Sequence, residues 1–359
     1  MTVGLALFAM FFGSGNLIYP MFLGQMSGAD WPSVFGGLLL TAVVMPLMGV
    51  IAMVLYHGDY VKFFSCLGRN AGLLVIGILL TVWIPLGSGP RCIAVAYASM
   101  LPYVDTPIPR WLFSIGYSLL TLWIVYKKSR MLDVLGYVLT PVLLLSLAVI
   151  VFKGVDFTNV VSSDLPALSL FTTGIVEGYN TMDLIAAFFF SASIIEILRN
   201  SSHNEDLSLR TTIKASLVAA ALLAVVYLGL ICLSATHAEV LNGIPREQML
   251  VHLSKVVLGS QLGMVASLAV FLACLTTSVA LASVFTDFLA ERLFGDSSRI
   301  PLALVVTQLF TYGMSITGLE GVTFITGPLL QIFYPLLLIL IVGNVMRSLL
   351  ARRQVMEAA

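Results

Sequence analysis

Ten runs of mostly apolar residues, each about the length of a bilayer-crossing helix, divide this chain and leave little outside them. Such a helix needs about 20 residues. The runs fall at 2–25, 33–56, 71–100, 109–126, 133–153, 171–199, 210–235, 261–291, 299–317 and 322–347. In hydrocarbon every backbone N–H and C=O must find its partner within the protein, so runs of this length are expected to be helices. Only 10% of the residues are charged, against about 25% in a typical soluble domain, and the mean hydropathy is +1.02. The expected fold is therefore an all-α membrane protein with about ten transmembrane helices, a single transmembrane domain over 1–359. No soluble domain, linker or low-complexity tract is read.

The placement of charge gives an orientation. With the N-terminus inside, thirteen of the 18 Lys and Arg residues fall in inner connections and the tail, including Lys62, Arg69, Lys127, Lys128, Arg210 and Lys214. Arg110, Lys153, Arg246 and Lys255 fall outside, and Arg91 lies within the third run. By the positive-inside rule both termini are expected in the cytoplasm. Segment 236–258 is too polar to span, and its PREQMLVHLSKVVLG predicts a short amphipathic helix over one mouth of the protein.

Several chemistries are disfavoured. The cysteines Cys66, Cys92, Cys232 and Cys274 are scattered without metal or redox spacing, and read as small apolar residues. His57, His203, His237 and His252 fall in or beside connections, so no nucleophile–base pair is expected at membrane depth, and the chain is not read as an enzyme. No cofactor and no nucleic-acid partner is expected. The first run lacks the basic flank of a cleavable signal.

Two runs interrupt themselves. In FAMFFGSGNLIYP, Gly13, Ser14, Gly15 and Asn16 are poor helix formers, with Pro20 placed near the start of a resumed helix. In FTTGIVEGYNTMDLIAAFFF, Gly178, Tyr179, Asn180, Thr181 and Asp183 are expected to replace continuous helix. Thr181 can cap a half-helix, and Asp183 then falls in its first turn, where the dipole favours a carboxylate. Unwound backbone cannot face lipid, so both breaks are expected to line an enclosed, hydrated cavity. Glycine in membrane helices often marks only close packing. Two polar breaks five spans apart argue instead for a site, and for two inverted five-span repeats at approximately 1–155 and 165–347. Opposed breaks supply N–H groups for a carboxylate and carbonyls for an ammonium group or a cation, a combination suited to a zwitterion such as an amino acid.

The eighth run, FLACLTTSVALASVF, carries Thr276, Thr277 and Ser278 in succession. Such hydroxyls often bond only to the preceding turn. They could equally serve a hard cation such as Na⁺. Arg91 after Pro90 reads as a gate or counter-charge for Asp183 or Glu177, or as a structural ion pair. Asp287 and Glu196 read as anchors or gates near the inner mouth, and Phe188 to Phe190 as packing. A proton-coupling role for Asp183 is the alternative to a sodium site.

The motifs LFAMFFGSGNLIYPMFLG and GYNTMDLIAA, with IPLGSGPRCIAVAY and LACLTTSVAL, resemble the bacterial branched-chain amino acid:cation symporter family over most of the chain. More loosely, GSGN and ACLTTSVA are similar to the first- and eighth-span motifs of the sodium-coupled neurotransmitter transporters, which implies the LeuT-like fold. That resemblance implies a sodium ion held by carbonyls of Ala9, Phe12 and Ala273 and hydroxyls of Thr276 and Thr277. Ser14 and Gly15 would meet the substrate carboxylate, and Asn16 would lie near a second cation position. The family has about twelve spans, against the ten read here. What the resemblance implies is a multi-pass carrier of the bacterial inner membrane, moving leucine, isoleucine or valine inward with Na⁺. Substrate would bind at Gly13, Ser14, Gly15, Asn16, Gly178, Tyr179, Asn180 and Thr181, with Arg91 and Asp183 in gating or coupling. A proton-coupled or broader neutral amino acid carrier, for instance for methionine, is the alternative; a channel or a transport-dead nutrient receptor fits less well.

Overall fold

The apolar runs are helical, and the places where helix geometry changes fix how they pack. The computed structural model describes residues 2–358 apart from 105, 107, 128–130 and 203–204. Side chains at 2, 3, 5, 6, 131–140, 159, 196, 197, 200–202, 205–208, 297 and 348–358 are outside that description. The first run forms α1 (Thr2–Phe11) and α2 (Gly15–Ser27), separated by three residues. The second forms α3 (Trp31–Leu39) and α4 (Met45–Leu55), joined by a π-turn over Leu40–Val44. After the short α5 (Tyr60–Phe64), α6 (Arg69–Trp83) continues through a π-turn at Ile84–Ser88 into α7 (Gly89–Met100). Pro85 and Pro90 lack the N–H that an α-turn would use, and the wider turn absorbs the mismatch.

Next come α8 (Arg110–Tyr126), α9 (Met131–Gly154), α10 (Ala167–Thr181), α11 (Asp183–Ser202) and α12 (Glu205–Ala235). The last are α13 (Met249–Phe288), α14 (Ile300–Ser315) and α15 (Gly318–Ala358). Among the described residues, six stretches are long and apolar enough to cross a membrane: Trp31–Leu55, Arg69–Tyr103, Ala167–Ile195, Leu209–Ala235, Arg246–Leu293 and Gly318–Arg347. Pro141–Gly154 and Ile300–Ser315 are shorter apolar helices.

Both breaks differ from the sequence expectation. Gly15 and Asn16 are the first residues of α2 rather than unwound, so the first gap is Phe12–Ser14, and Pro20 lies inside α2. In the sixth run Gly178 to Thr181 stay helical, and the interruption is the single residue Met182. Its left-handed backbone (φ 65°, ψ 17°) turns the chain and lets Asp183 begin a new helix. The glycine at 178 is a contact, not a hinge: a Cβ there would come 2.9 Å from Thr41 Cβ.

The packing exchanges partners between the broken helices. Both α1 and α2 run along α12, while α10 lies along α3 and α11 along α4. Against this group stand α7, α8, α13 and α14, with α13 packed closely on α7 and α9. Segment 236–258 follows its expected form in part, with a 3₁₀ turn at Arg246–Gln248 and helix from Met249 to a kink at Gly259 (φ 77°, ψ 177°).

At the α3–α10 contact the backbones themselves meet. A Cβ on Gly174 would stand 3.1 Å from Leu38 N and from the Val34 carbonyl carbon, and one on Gly37 2.8 Å from Ile175 N. Close approach of this kind is how membrane helices gain dispersion contact without a hydrophobic driving force. Gly174→Val should therefore wedge α10 from α3 and cost about 1–3 kcal/mol. A lowered thermal midpoint of the detergent-solubilised protein is the expected result; an unchanged midpoint would show that the two backbones do not touch.

Candidate functional site

The first break leaves peptide groups open on both sides. Phe12 N–H still reaches Phe8 O at 2.7 Å, but Gly13 N–H turns aside to Asn16 Oδ1 at 3.2 Å. The carbonyls of Ala9, Met10, Phe11 and Phe12 therefore lack helical partners among the described residues. On the other side, Leu17 and Ile18 N–H both return to Ser14 O, at 3.2 and 3.3 Å. The N–H groups of Ser14, Gly15 and Asn16 have no backbone acceptor among the described residues. Unpaired carbonyls at a helix C-terminus favour a cation, and free N–H groups at an N-terminus favour an anion.

The second break is closed from within. Thr181 Oγ1 donates to Gly178 O at 2.8 Å and accepts from Asp183 N at 3.3 Å, while Met182 N–H reaches Tyr179 O at 3.1 Å. Leu184 N–H bonds to Tyr334 Oη at 3.3 Å. Arg91, only 1% exposed, donates to the carbonyls of Asn180 and, at 3.5 Å, Thr181. Its fork is held by Ser88 Oγ at 3.0 Å and Tyr19 Oη at 3.1 Å. A guanidinium at a helix C-terminus satisfies carbonyls and complements the dipole together.

Arg91 caps α10 and forms no ion pair with Asp183 or Glu177 among the described residues, although its charge does act on Asp183. Glu177 pairs instead with Arg246 at 3.1 Å and accepts from Asn180 Nδ2 at 2.8 Å. The Arg246 guanidinium also lies 3.4 Å from the centre of the Phe22 ring. Asp183, 2% exposed, accepts from Asn16 Nδ2 at 3.0 and 3.1 Å and from the Tyr227 hydroxyl at 2.5 Å. No Lys or Arg forms an ion pair with it among the described residues.

These groups border a cavity of about 20 Å³, lined by Gly13, Ser14, Gly15, Asn16, Thr181, Asp183 and Thr277 on its polar side. Met10, Phe11, Trp83, Ala186, Phe190 and Leu281 form its apolar wall, with Ser88 beside them. Of the four α10 residues expected here, only Thr181 lines it. Gly178 backs onto Thr41, Tyr179 packs on Tyr334 with ring centres 4.9 Å apart, and the Asn180 side chain is held by Glu177.

The hydroxyls of the eighth run separate in the same way. Thr276 Oγ1 donates to Ala273 O at 2.9 Å, the local bond of a membrane threonine, and neither residue lines the cavity. Thr277 Oγ1 is buried without a partner on the cavity wall. The Phe188 ring packs on Phe63 and Phe64, whereas Phe190 reaches the cavity beside Trp83. Asp287 is engaged in contacts of its own, and the Glu196 side chain is outside the described residues.

Sequence reasoning passed over Tyr227 and Trp83. A phenol in the otherwise apolar stretch 217–233 must find a polar partner at depth, which was the available signal for Tyr227. For Trp83 there was none, since only the π-turn that follows it brings the ring to the cavity.

A family described as branched-chain amino acid transport protein matches residues 1–359. The branched-chain amino acid permease BrnQ of Corynebacterium glutamicum is 31% identical over 361 residues, spanning 98% of this chain and 82% of that protein. The permease BraB of Bacillus subtilis is 29% identical over 364 residues, spanning 98% and 81%. The branched-chain amino acid transport system 2 carrier protein of Pseudomonas aeruginosa is 29% identical over 354 residues, spanning 95% and 79%. Among solved structures, MhsT in complex with L-phenylalanine superposes with a TM-score of 0.59 at 14% identity, over 95% of this chain and 88% of that one. A substrate-bound Na⁺-coupled sialic acid symporter gives 0.56 at 14%, over 92% and 75%. At such identity these two show the fold, which is LeuT-like, while the relatives are transport permeases and not enzymes. The match over the whole length, with the broken helices in place, means that this chain belongs to the branched-chain amino acid transport protein family.

Proposed function

We propose that this protein is a sodium-driven symporter that carries leucine, isoleucine or valine into the bacterial cell. The observation that carries the reading is the first break: carbonyls of Ala9 to Phe12 open on one side, N–H groups of Ser14 to Asn16 on the other, and the unpartnered Thr277 hydroxyl beside them. Na⁺ would take the carbonyls of Ala9 and Phe12 with Thr277, and on further closure Ala273 O and Thr276. The substrate carboxylate would take the N–H groups at the start of α2. The apolar wall of Trp83, Phe190 and Leu281 would receive the side chain. The branched-chain amino acid permeases and carrier among its relatives, and the Na⁺ coupling of the structurally similar sialic acid symporter, favour the same reading.

In this reading the ten runs are ten spans forming one domain of two inverted five-span repeats, with both termini cytoplasmic. The exchange in which α1 and α2 pack on α12 while α10 and α11 pack on α3 and α4 is what such a repeat requires. Transport follows as that group rocks against α7, α8, α13 and α14 around the fixed site. The present cavity, about 20 Å³, has room for about one water, so admitting an amino acid requires this motion. An apolar wall separates substrates by only about 1–3 kcal/mol per methylene, so methionine and other neutral amino acids are expected to compete.

Radiolabelled leucine uptake into proteoliposomes tests the reading. Accumulation should require an inward Na⁺ gradient and fail with a proton gradient alone; uptake driven by protons without Na⁺ would overturn the coupling. Within the sodium site the two threonines should differ. Thr277→Ala is expected to raise the Na⁺ concentration for half-maximal uptake at least about tenfold, the loss of roughly one charge-assisted ligand. Thr276→Ala, whose hydroxyl already bonds Ala273 O, should raise it less.

A further inference from the structure

A zwitterion needs two partners: the start of α2 offers N–H groups to its carboxylate, and the open carbonyls of the first break go in part to Na⁺ in the reading above. The natural expectation for the ammonium group is the carbonyl end of α10, but Arg91 already fills it. Its guanidinium donates to Asn180 O and Thr181 O and brings a positive charge to the same place. A second cation there would meet occupied acceptors and like charge. On the opposite side of the Met182 turn lies Asp183, the one charged residue lining the cavity among the described residues.

We propose that Asp183 is the anchor for the substrate's α-ammonium group, and so the residue that restricts this carrier to amino acids. The proposal rests on the substrate reading given above. Three features of the site support it. Asp183 is hydrogen-bonded to neutral donors, Asn16 and Tyr227, which orient the carboxylate, while the Arg91 charge acts on it without a hydrogen bond or ion pair among the described residues. A carboxylate has about four lone-pair sites, so three hydrogen bonds leave room for an N⁺–H donor. A buried carboxylate with no directly paired cation is costly at membrane depth, which makes Asp183 an attractor for a cation that can enter.

The positions also match the substrate. Ammonium and carboxylate sit on one carbon, so their partners must be near neighbours. Asn16 provides that neighbourhood: its backbone N–H belongs to the open start of α2, and its Nδ2 touches Asp183 at 3.0 Å. A substrate bridging the two would join α2 to α11 across both breaks. A 2-hydroxy acid of the same shape keeps the carboxylate and side chain but carries no charge to answer Asp183. A site built around a buried polar partner rejects such an analogue far more strongly than an apolar wall rejects a methylene.

The test compares L-leucine with 2-hydroxy-4-methylpentanoate by isothermal titration of the purified full chain in Na⁺. The wild type should bind leucine at least about 100-fold more tightly than the hydroxy acid. Asp183→Asn should lose most of its leucine affinity while keeping that for the hydroxy acid, so that the ratio falls to within a few-fold of one. Asp183→Glu should restore part of the preference. Equal binding of both compounds by the wild type would overturn the proposal with no variant needed, even if Asp183→Asn fails to fold. So would an Asp183→Asn protein that keeps the wild-type ratio, or one that loses only its sodium requirement and keeps its preference for the amine. If the wild type binds none of leucine, isoleucine and valine, the substrate reading fails instead. The same pair of measurements on whichever neutral amino acid does bind, with its hydroxy acid, then decides the role of Asp183.

Discussion

No peptide group can be left without a partner in hydrocarbon, and the two helix breaks meet that constraint in opposite ways. At Met182 every exposed group near the turn is answered by the protein: Arg91 on two carbonyls, Thr181 on one, Tyr334 on an N–H. At Phe12–Ser14 the carbonyls before the gap and the N–H groups after it have no backbone partners among the described residues. The closed break is a fixed joint; the open break is the binding surface we propose. The unsatisfied valence of the second is what a cation and a carboxylate would complete, and closure of the site follows from completing it.

Arg91 and Asp183 hold this asymmetry in place. They lie on either side of one left-handed residue, yet no hydrogen bond or ion pair joins them among the described residues; each is bonded to backbone or neutral partners from elsewhere in the fold. Arg91 reaches from the segment after the π-turn at Ile84–Ser88 and locks α10 to α7, while Asn16 and Tyr227 tie Asp183 to α2 and α12. A third link, Glu177 to Arg246, fastens segment 236–258 over α10 and α2, with the guanidinium on Phe22 and Gln25 bonded to Leu241 O at 3.0 Å. The site is therefore held from three sides by polar contacts that must be remade when the helices move.

Much of this was legible in the sequence because the bilayer permits so few solutions. Apolar length announced the helices, and polar residues at depth announced the breaks, since Asn16, Thr181 and Asp183 have no other reason to be there. The details that escaped are those that depend on register. Glycine marked both Gly15 and Gly178 as hinge candidates, but Gly178 is small because Thr41 lies against it, and the true turn is at Met182, a residue with no propensity for it. Likewise three adjacent hydroxyls read alike in sequence. Their helical rotation points Thr277 at the cavity and leaves Thr276 bonded to its own turn.

In the proposed transport cycle the open N–H groups at the start of α2 take the carboxylate of a substrate. Displacement of bound radiolabelled leucine by leucinol, which keeps the amine and the side chain and replaces the carboxylate with an alcohol, tests it directly. The account predicts that leucinol competes at least about 100-fold more weakly than leucine, because the peptide groups of Ser14, Gly15 and Asn16 would lose their anion. Displacement by leucinol as effective as by leucine itself would contradict it, and the open break would then belong to packing or to the cation alone.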